Sequence, residues 1–256
     1  MPRYFLHLAY KGTGYHGWQI QPNAITVQES LNNALSTLLR TPIETTGCGR
    51  TDTGVHATSF VAHFDCNNEI PDLSKLVFQT NAILPTTIRL YQLKKVHPDA
   101  HSRFDANRRA YSYYIFQSPD PFFQDYSWFY PRTLDLDSMN QAAQYCLGTR
   151  DFSCFGKSGG QQITNNCTIS DCTWQPISKG IHFNVQANRF LRGMVRAMVG
   201  TFIDIGLGKM SLGSFSEVLE SGNRSDAGQS VPPQGLFLEE VSYDYFPIER
   251  IYFLNK

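Results

Sequence analysis

Along the 256 residues of this chain, stretches in which apolar and polar positions alternate are separated by stretches in which apolar residues recur every three to four positions. The first half predicts a strand from Arg3 to Tyr10, then a helix opened by the capping box Thr26-Val27-Gln28-Glu29, with Val27, Leu31, Leu35 and Leu38 on one face. Strands over Ile43 to Cys48 and Ser59 to Phe64 follow, then a helix capped by Asp72 running through Leu76 and Val77 toward Ala82, and a strand from Ile88 to Val96. The second half repeats the order loosely. Arg109 to Phe116 reads as a strand, Asp137 can cap a helix through Met139, Ala142, Ala143 and Cys146, and Cys167 to Pro176 with Ile181 to Ala187 forms a strand pair. A helix from Arg189 to about Ile205, a shorter one near Leu212 to Leu219 and a last strand from Leu236 to Tyr243 complete it. Segments Ser118 to Pro131, Gly156 to Asn166 and Ser221 to Pro233 are rich in turn formers and predict loops. The fold class is α+β, in two similar lobes, residues 1–105 and 106–256, of mixed, mainly antiparallel sheet covered by helices.

The helix expected from Arg189 has two faces. At about 100° per residue, Leu191, Val195, Met198 and Phe202 gather on one side, and Arg189, Arg192 and Arg196 lie roughly 120° away beside Gly193 and Gly200. Small residues next to arginines leave room for a backbone to approach. A solvated charged face and a phosphate-contacting face both fit Arg189 and Arg192.

Charge sharpens this picture. Lysine plus arginine and aspartate plus glutamate both count 22, so the whole chain lacks the basic excess of a nucleic-acid binder. Locally the balance differs: no acid stands between Asp171 and Asp204, whereas Lys179, Arg189, Arg192 and Arg196 do. The six cysteines, at 48, 66, 146, 154, 167 and 172, form no Cys-x-x-Cys pair and no zinc spacing, which predicts free thiols in a reducing compartment. The chain enters a strand pattern at once and has no apolar run long enough to span a membrane, so a soluble cytoplasmic protein is expected. Phosphate-binding, dinucleotide-binding and zinc-protease motifs are missing, which excludes a nucleotide cofactor or metal of those kinds.

Candidate chemistry concentrates in Gly47-Cys48-Gly49-Arg50-Thr51-Asp52-Thr53-Gly54-Val55-His56-Ala57, where one carboxylate sits in a glycine-rich turn between two apolar runs. Two readings fit Asp52: a side chain that caps its own turn, or a carboxylate held for chemistry. Arg50 stands two residues before it, and a structural ion pair competes with a nucleotide contact there. His56 and His63 read as loop and strand residues, without a neighbouring ligand cluster. Tyr111 and Tyr113 are two apart on a strand and share one side of the sheet. Arg103, Arg108 and Arg109 make a short basic segment beside them, interrupted by Asp105.

Gly-Arg-Thr-Asp-x-Gly-Val-His-Ala closely resembles the active-site segment of the tRNA pseudouridine synthases of the TruA family. Further matching segments run in family order: Tyr10-Lys11-Gly12-Thr13 with Gly17-Trp18-Gln19, Val27-Gln28-Glu29, Asn81 to Pro85, His101-Ser102-Arg103-Phe104, Tyr111-Ser112-Tyr113, Asp151-Phe152-Ser153, Met194-Val195-Arg196 and Gln234-Gly235-Leu236. Thr53 departs from the family's usual alanine, and Arg192-Gly193 fills a variable place. The resemblance implies the bilobal pseudouridine synthase fold and isomerisation of uridine to pseudouridine at positions 38 to 40 of the tRNA anticodon stem-loop, without a cofactor, by a homodimer. It assigns Asp52 the catalytic carboxylate, as nucleophile or base, Arg196 the cation that pairs with it, and Tyr111 the ring that stacks on the target base. Arg50, Arg189 and Arg192 are the further candidates for substrate contact. Two rival functions are a catalytically silent RNA-binding module and a glycoside or N-glycoside hydrolase, which would need a second carboxylate in a comparable place.

Overall fold

In the computed structural model, which describes residues 1–157 and 164–248, β1 (Arg3–Tyr10) begins the chain between two partners. It pairs antiparallel with β3 (His56–Asp65) on one side and with β4 (Ile88–Val96) on the other. Its residues Tyr4 to Leu8 are all buried, as expected of a strand covered on both faces. Two helices complete this layer: α1 (Val27–Leu39) and α2 (Leu73–Ile83). The predicted caps form, with Thr26 Oγ1 accepting from the Glu29 N–H at 3.2 Å and Asp72 Oδ1 from the Lys75 N–H at 2.8 Å.

The strand predicted over Ile43 to Cys48 shortens to β2 (Thr46–Gly47), paired with β3. The reason lies in α1, whose polar side chains take the backbone groups that a ladder would need. The Ile43 N–H donates to Ser36 Oγ at 2.8 Å, the Thr45 N–H to Asn32 Oδ1 at 3.1 Å, and Gln28 Nε2 donates to Thr45 O at 2.5 Å.

The chain divides into two compact units, Met1–Asn107 together with residues 237–248, and Arg108–Leu236. The last strand, expected within residues 106–256, goes with the first unit. Strand β10 (Leu236–Ser242) runs parallel to β3, with Phe237 opposite His56 and Leu238 opposite Ala57. Beyond it Tyr243, Tyr245 and Phe246 close around the Phe5 ring at 5.4 to 5.9 Å, and Tyr243 Oη donates to Ser102 O at 2.5 Å. A parallel return from a remote part of the chain leaves no periodic trace in sequence.

The remaining strands belong to the second unit. Strand β5 (Arg108–Phe116) pairs with the two-residue β6 (Trp128–Phe129) and with β9 (Gly180–Ala187); β9 pairs with β8 (Asn166–Ile177), and β8 with β7 (Gly148–Asp151). Among the pairings of the described residues in this unit, β5–β6 is parallel and the others are antiparallel. Strands β6 and β7 were not expected; the loop expected from Gly156 to Asn166 falls largely at 158–163, outside the described residues. Helix α3 (Leu136–Gln144) starts at Asp135, two residues before the expected cap, and Asp135 Oδ1 accepts from both the Asp137 and Ser138 N–H groups.

Helix α4 (Met194–Gly206) corrects a further expectation. It begins five residues after Arg189 because Gly193, at φ 72°, stands in the left-handed region at its start. Arg189 and Arg192 therefore lie on the turn leading into α4 and do not share a helical face with Arg196. Met198, Phe202 and their neighbours are buried as predicted, with Phe202 5.5 Å from Phe183 and 5.6 Å from Phe215 of α5 (Leu212–Ser221). Burial of each such large side chain contributes about 1.5 to 3 kcal/mol.

Candidate active site

Asp52 stands on the hairpin connection between β2 and β3. The β-ladder holds this connection at its base, where Gly47 is opposite Ala62 and the Cys48 N–H donates to Val61 O at 2.7 Å. At its tip the Val55 N–H returns to Asp52 O at 3.1 Å, closing a turn over residues 52–55. Asp52 itself is half-buried between the buried Thr51 and an exposed Thr53.

A second segment, Tyr10 to Trp18, braces this turn along its length. The Trp18 N–H donates to Thr51 O at 3.3 Å, and the Gly54 N–H to Tyr15 O at 3.3 Å. Tyr10 Oη and Thr51 Oγ1 are 2.9 Å apart, and the Gly12 N–H donates to His56 Nδ1 at 3.0 Å. Two glycines permit the contact. A Cβ on Gly12 would fall 2.1 Å from Val55 O, and one on Gly17, at φ 84°, 2.3 Å from Thr51 O. Neither position has room for a side chain. The brace is anchored in turn: the Lys11 N–H donates to Thr87 O at 2.9 Å, Tyr15 Oη lies 2.7 Å from Thr87 Oγ1, and the Gln28 N–H donates to Trp18 O at 3.0 Å. Trp18, 2% exposed, stacks on Phe60 at 4.1 Å, which gives it a packing role.

His56 is buried, fixed by its bond from Gly12 and by stacking on Phe237 at 4.6 Å. His63 Nδ1 and Ser102 Oγ lie 2.8 Å apart, and burial pushes the His63 pKa down to about 4. Both histidines do structural duty as neighbours of the loop and strand. Among the described residues no group of three or more histidines, cysteines or acids is placed to hold a metal ion, and no helix is long and apolar enough to cross a membrane.

In the second unit Tyr111 lies on β5 opposite Val185, half-buried, its ring edge-on to Phe190 at 5.1 Å and 89°. Tyr113 shares its side of the strand but is fully buried, and its hydroxyl donates to Pro232 O at 2.7 Å. Burial raises the Tyr113 pKa well above the usual value, against the pull of the Arg196 guanidinium. Arg196, in the first turn of α4, is half-buried, and its Nε donates to Val231 O at 2.7 Å. One edge of its fork is thus tied to backbone, which fixes the plane of the guanidinium.

The arrangement is a carboxylate on a braced turn with Arg50 beside it, and in the other unit a half-buried tyrosine and a backbone-held arginine. Arg50 and Arg192 are exposed and Arg189 half-buried; their side chains make no hydrogen bond or ion pair among the described residues. The ion pair considered for Arg50 is therefore not formed there. Sequence reading missed the brace. Its signal was the close run Gly12, Gly14 and Gly17 ahead of Trp18, whose spacing resists any regular element.

Residues 142–244 match the family model described as tRNA pseudouridine synthase. The chain is 43% identical over 251 residues to tRNA pseudouridine synthase A of Parabacteroides distasonis, a match covering 97% of this chain and 100% of that protein. It is 47% identical over 242 residues to the protein of that name in Bacteroides fragilis, covering 94% of this chain and 96% of the relative. The corresponding figures for the Bacteroides thetaiotaomicron protein of the same name are 45% over 246 residues, 95% and 91%. With the mainly antiparallel α+β architecture, these matches define a pseudouridine synthase, an isomerase. The chain belongs to the tRNA pseudouridine synthase A family.

Proposed function

We propose that the protein converts uridine to pseudouridine at positions 38 to 40 of the tRNA anticodon stem-loop, with Asp52 as the catalytic carboxylate. The observation that carries this reading is the place of Asp52 on a braced turn, in a chain that aligns along nearly its whole length with enzymes named for tRNA pseudouridine synthesis. The reaction breaks the bond between ribose C1′ and uracil N1, turns the base and joins C5 to C1′. Composition does not change, so no redox or group-transfer cofactor is called for. What the protein must supply is position: a carboxylate at the sugar, a surface for the detached base and charge that keeps the carboxylate ionised.

Asp52 meets the first need, either by attack on C1′ or by taking a sugar proton. Tyr111 meets the second. Its half-buried ring offers a face for an extruded uracil, and base stacking of this kind contributes about 1 to 3 kcal/mol. Arg196 meets the third as the cation that pairs with Asp52. Arg50, Arg189 and Arg192, with no protein partner for their side chains among the described residues, are the candidates for phosphate contact. The protein acts in the cytoplasm as a homodimer, in which two copies present two sets of these cations and offset the neutral charge of a single chain.

The deciding experiment incubates the protein with tRNA lacking the modification and maps pseudouridine by carbodiimide adducts. Adducts at 38 to 40 with unchanged RNA mass are expected. Adducts elsewhere would relocate the substrate site, and loss of the base would replace isomerisation by hydrolysis.

A further inference from the structure

The stretch from Asn223 to Val231 has no part in the roles assigned above, yet it is tied to α4 at three levels. The Arg196 Nε donates to Val231 O at 2.7 Å, and the Val231 N–H donates back to Arg196 O at 3.2 Å. Further along the helix, the Gly228 N–H donates to Thr201 Oγ1 at 2.9 Å, whose hydroxyl donates to Ala197 O at 2.8 Å. Between these bonds backbone meets backbone: a Cβ on Gly200 would fall 1.8 Å from Gln229 O, and one on Gly228 2.7 Å from Gly200 C. The room beside the arginines that sequence suggested for a ligand backbone is taken at Gly200 by the chain's own.

One side chain shapes this stretch. Arg224, half-buried, turns its guanidinium back over the loop: Nη1 donates to Ala227 O at 3.3 Å and Gly228 O at 3.1 Å, and Nη2 to Ser230 Oγ at 3.3 Å. Only a rigid planar fork with several donors spans three acceptors in this way. Without it, carbonyls 227 and 228 would turn to water, and Val231 O would lose its fixed direction.

We propose that Arg224 is a positioning residue for the isomerisation: by closing the 224–230 turn it sets the Val231 carbonyl that aims the Arg196 guanidinium. This rests on the reading of Arg196 given above. Arg224 touches no substrate, and its whole effect on the reaction passes through Arg196.

The test is a double-substitution cycle on single-turnover pseudouridine formation at saturating tRNA, with tRNA affinity and thermal melting measured beside it. Arg224→Ala should slow the single turnover by about 10- to 100-fold, the effect of an ångström-scale misplacement, with tRNA affinity changed no more than a few-fold. Arg224→Lys, which keeps the charge and loses the fork, should recover only part of the rate. The decisive expectation is non-additivity: Arg224→Ala combined with Arg196→Ala should be no slower than Arg196→Ala alone. If the two effects multiply, Arg224 acts elsewhere and the proposal falls while the role of Arg196 stands. Normal turnover by Arg224→Ala also overturns it. Normal turnover by Arg196→Ala removes the parent reading and this one together. Should Arg224→Ala not fold, Arg224→Gln, which retains part of the reach and two donors, takes its place in the cycle with the same expectations.

Discussion

The turn that carries Asp52 and the turn that carries Arg189 and Arg192 both present charged side chains, and they are built in opposite ways. Around Asp52 the backbone is bonded on both sides, from β3 and from the Tyr10–Trp18 brace, and the glycines of the brace leave no space for adjustment. Ahead of α4 the backbone is held at one side, where the Lys157 N–H donates to Arg192 O at 2.9 Å, and the arginine side chains make no hydrogen bond or ion pair among the described residues. The atoms nearest to a Cβ on Gly193 would be those of the flexible Lys157 side chain, at 3.2 to 3.5 Å. The difference follows from the work proposed for each. A carboxylate that reacts at one carbon must be held to a fraction of an ångström. A cation that meets a phosphate backbone needs only reach, because Coulomb attraction falls slowly with distance.

The largest effect should come from removing the chemistry while keeping the brace. Asp52→Asn is expected to lower the single-turnover rate on the order of 10⁴-fold, the scale seen when a single catalytic side chain is deleted. Folding and tRNA affinity should stay close to wild type, since Asp52 is half-buried on a turn held mainly through backbone. An Asp52→Asn enzyme that kept even a few per cent of its rate would reduce the carboxylate to a turn cap.

Breaking the brace while keeping Asp52 comes next. Gly17→Ala drives a Cβ to 2.3 Å from Thr51 O, whereas Gly14→Ala, at a similar φ of 86°, meets nothing within 4 Å. Both incur left-handed strain of about 1 to 2 kcal/mol, but only Gly17→Ala displaces the backbone next to Asp52. Turnover should therefore fall by about 10- to 100-fold in Gly17→Ala and stay near normal in Gly14→Ala, while the melting temperature falls in both and further in Gly17→Ala, where the clash adds to the shared strain. Equal rates in the two variants would show that the brace serves stability and not the placement of the carboxylate.

The same contrast explains what could be read from sequence. Strand β1, the Thr26 cap and the buried stripe of α4 were legible because each depends on local periodicity or on contacts three or four residues apart. Asp52, Tyr111 and Arg196 became candidates through motif resemblance. The brace was not, since the bond from Gly12 to His56 and the closeness of Gly17 to Thr51 join residues dozens of positions apart. The start of α4 was misplaced because the apolar period runs unbroken through Gly193, and a single left-handed residue sets where the helix begins without disturbing that pattern. β10 was found as a strand but given to the wrong unit, since pairing partners are not written in a strand's own sequence.

A titration probes the pinned region as a whole. His7 Nε2 lies 3.1 Å from Ser59 Oγ, and burial pushes the pKa values of His7 and His63 down to about 4. The unfolded chain would protonate both near pH 6.5. Between about 6.5 and 4 the unfolded state thus binds protons that the folded state refuses, so stability falls as pH drops through that window and this loss levels off below it. Each fully linked proton contributes a slope of about 1.4 kcal/mol per pH unit. Asp65, held below its usual pKa by Arg3, adds a further loss under pH 4 as its carboxylate is protonated. Urea melts across this range should show the decline, and His7→Gln with His63→Gln should flatten the part between 6.5 and 4. A slope that the double variant leaves unchanged would assign the acid sensitivity to other groups.

The smallest expected effect lies on the loose side of the comparison. If Arg189 and Arg192 contact phosphates, alanine at either position should weaken tRNA binding and reduce the magnitude of the slope of log K against log salt by roughly 0.7 to 0.9, the share of one phosphate contact. Because their side chains hold no other part of the protein among the described residues, the melting temperature should not move. The single-turnover rate at saturating tRNA should also hold, since neither side chain positions the carboxylate. Arg196→Ala supplies the contrast. Its Nε bond to Val231 places it with the fixed groups, so its loss should fall on the single-turnover rate and not on the salt slope. Equal salt slopes for wild type, Arg189→Ala and Arg192→Ala would leave that turn to solvent. A change in single-turnover rate for Arg189→Ala or Arg192→Ala at saturating tRNA would mean that reach alone does not describe them, and that the turn before α4 is ordered by the substrate it meets.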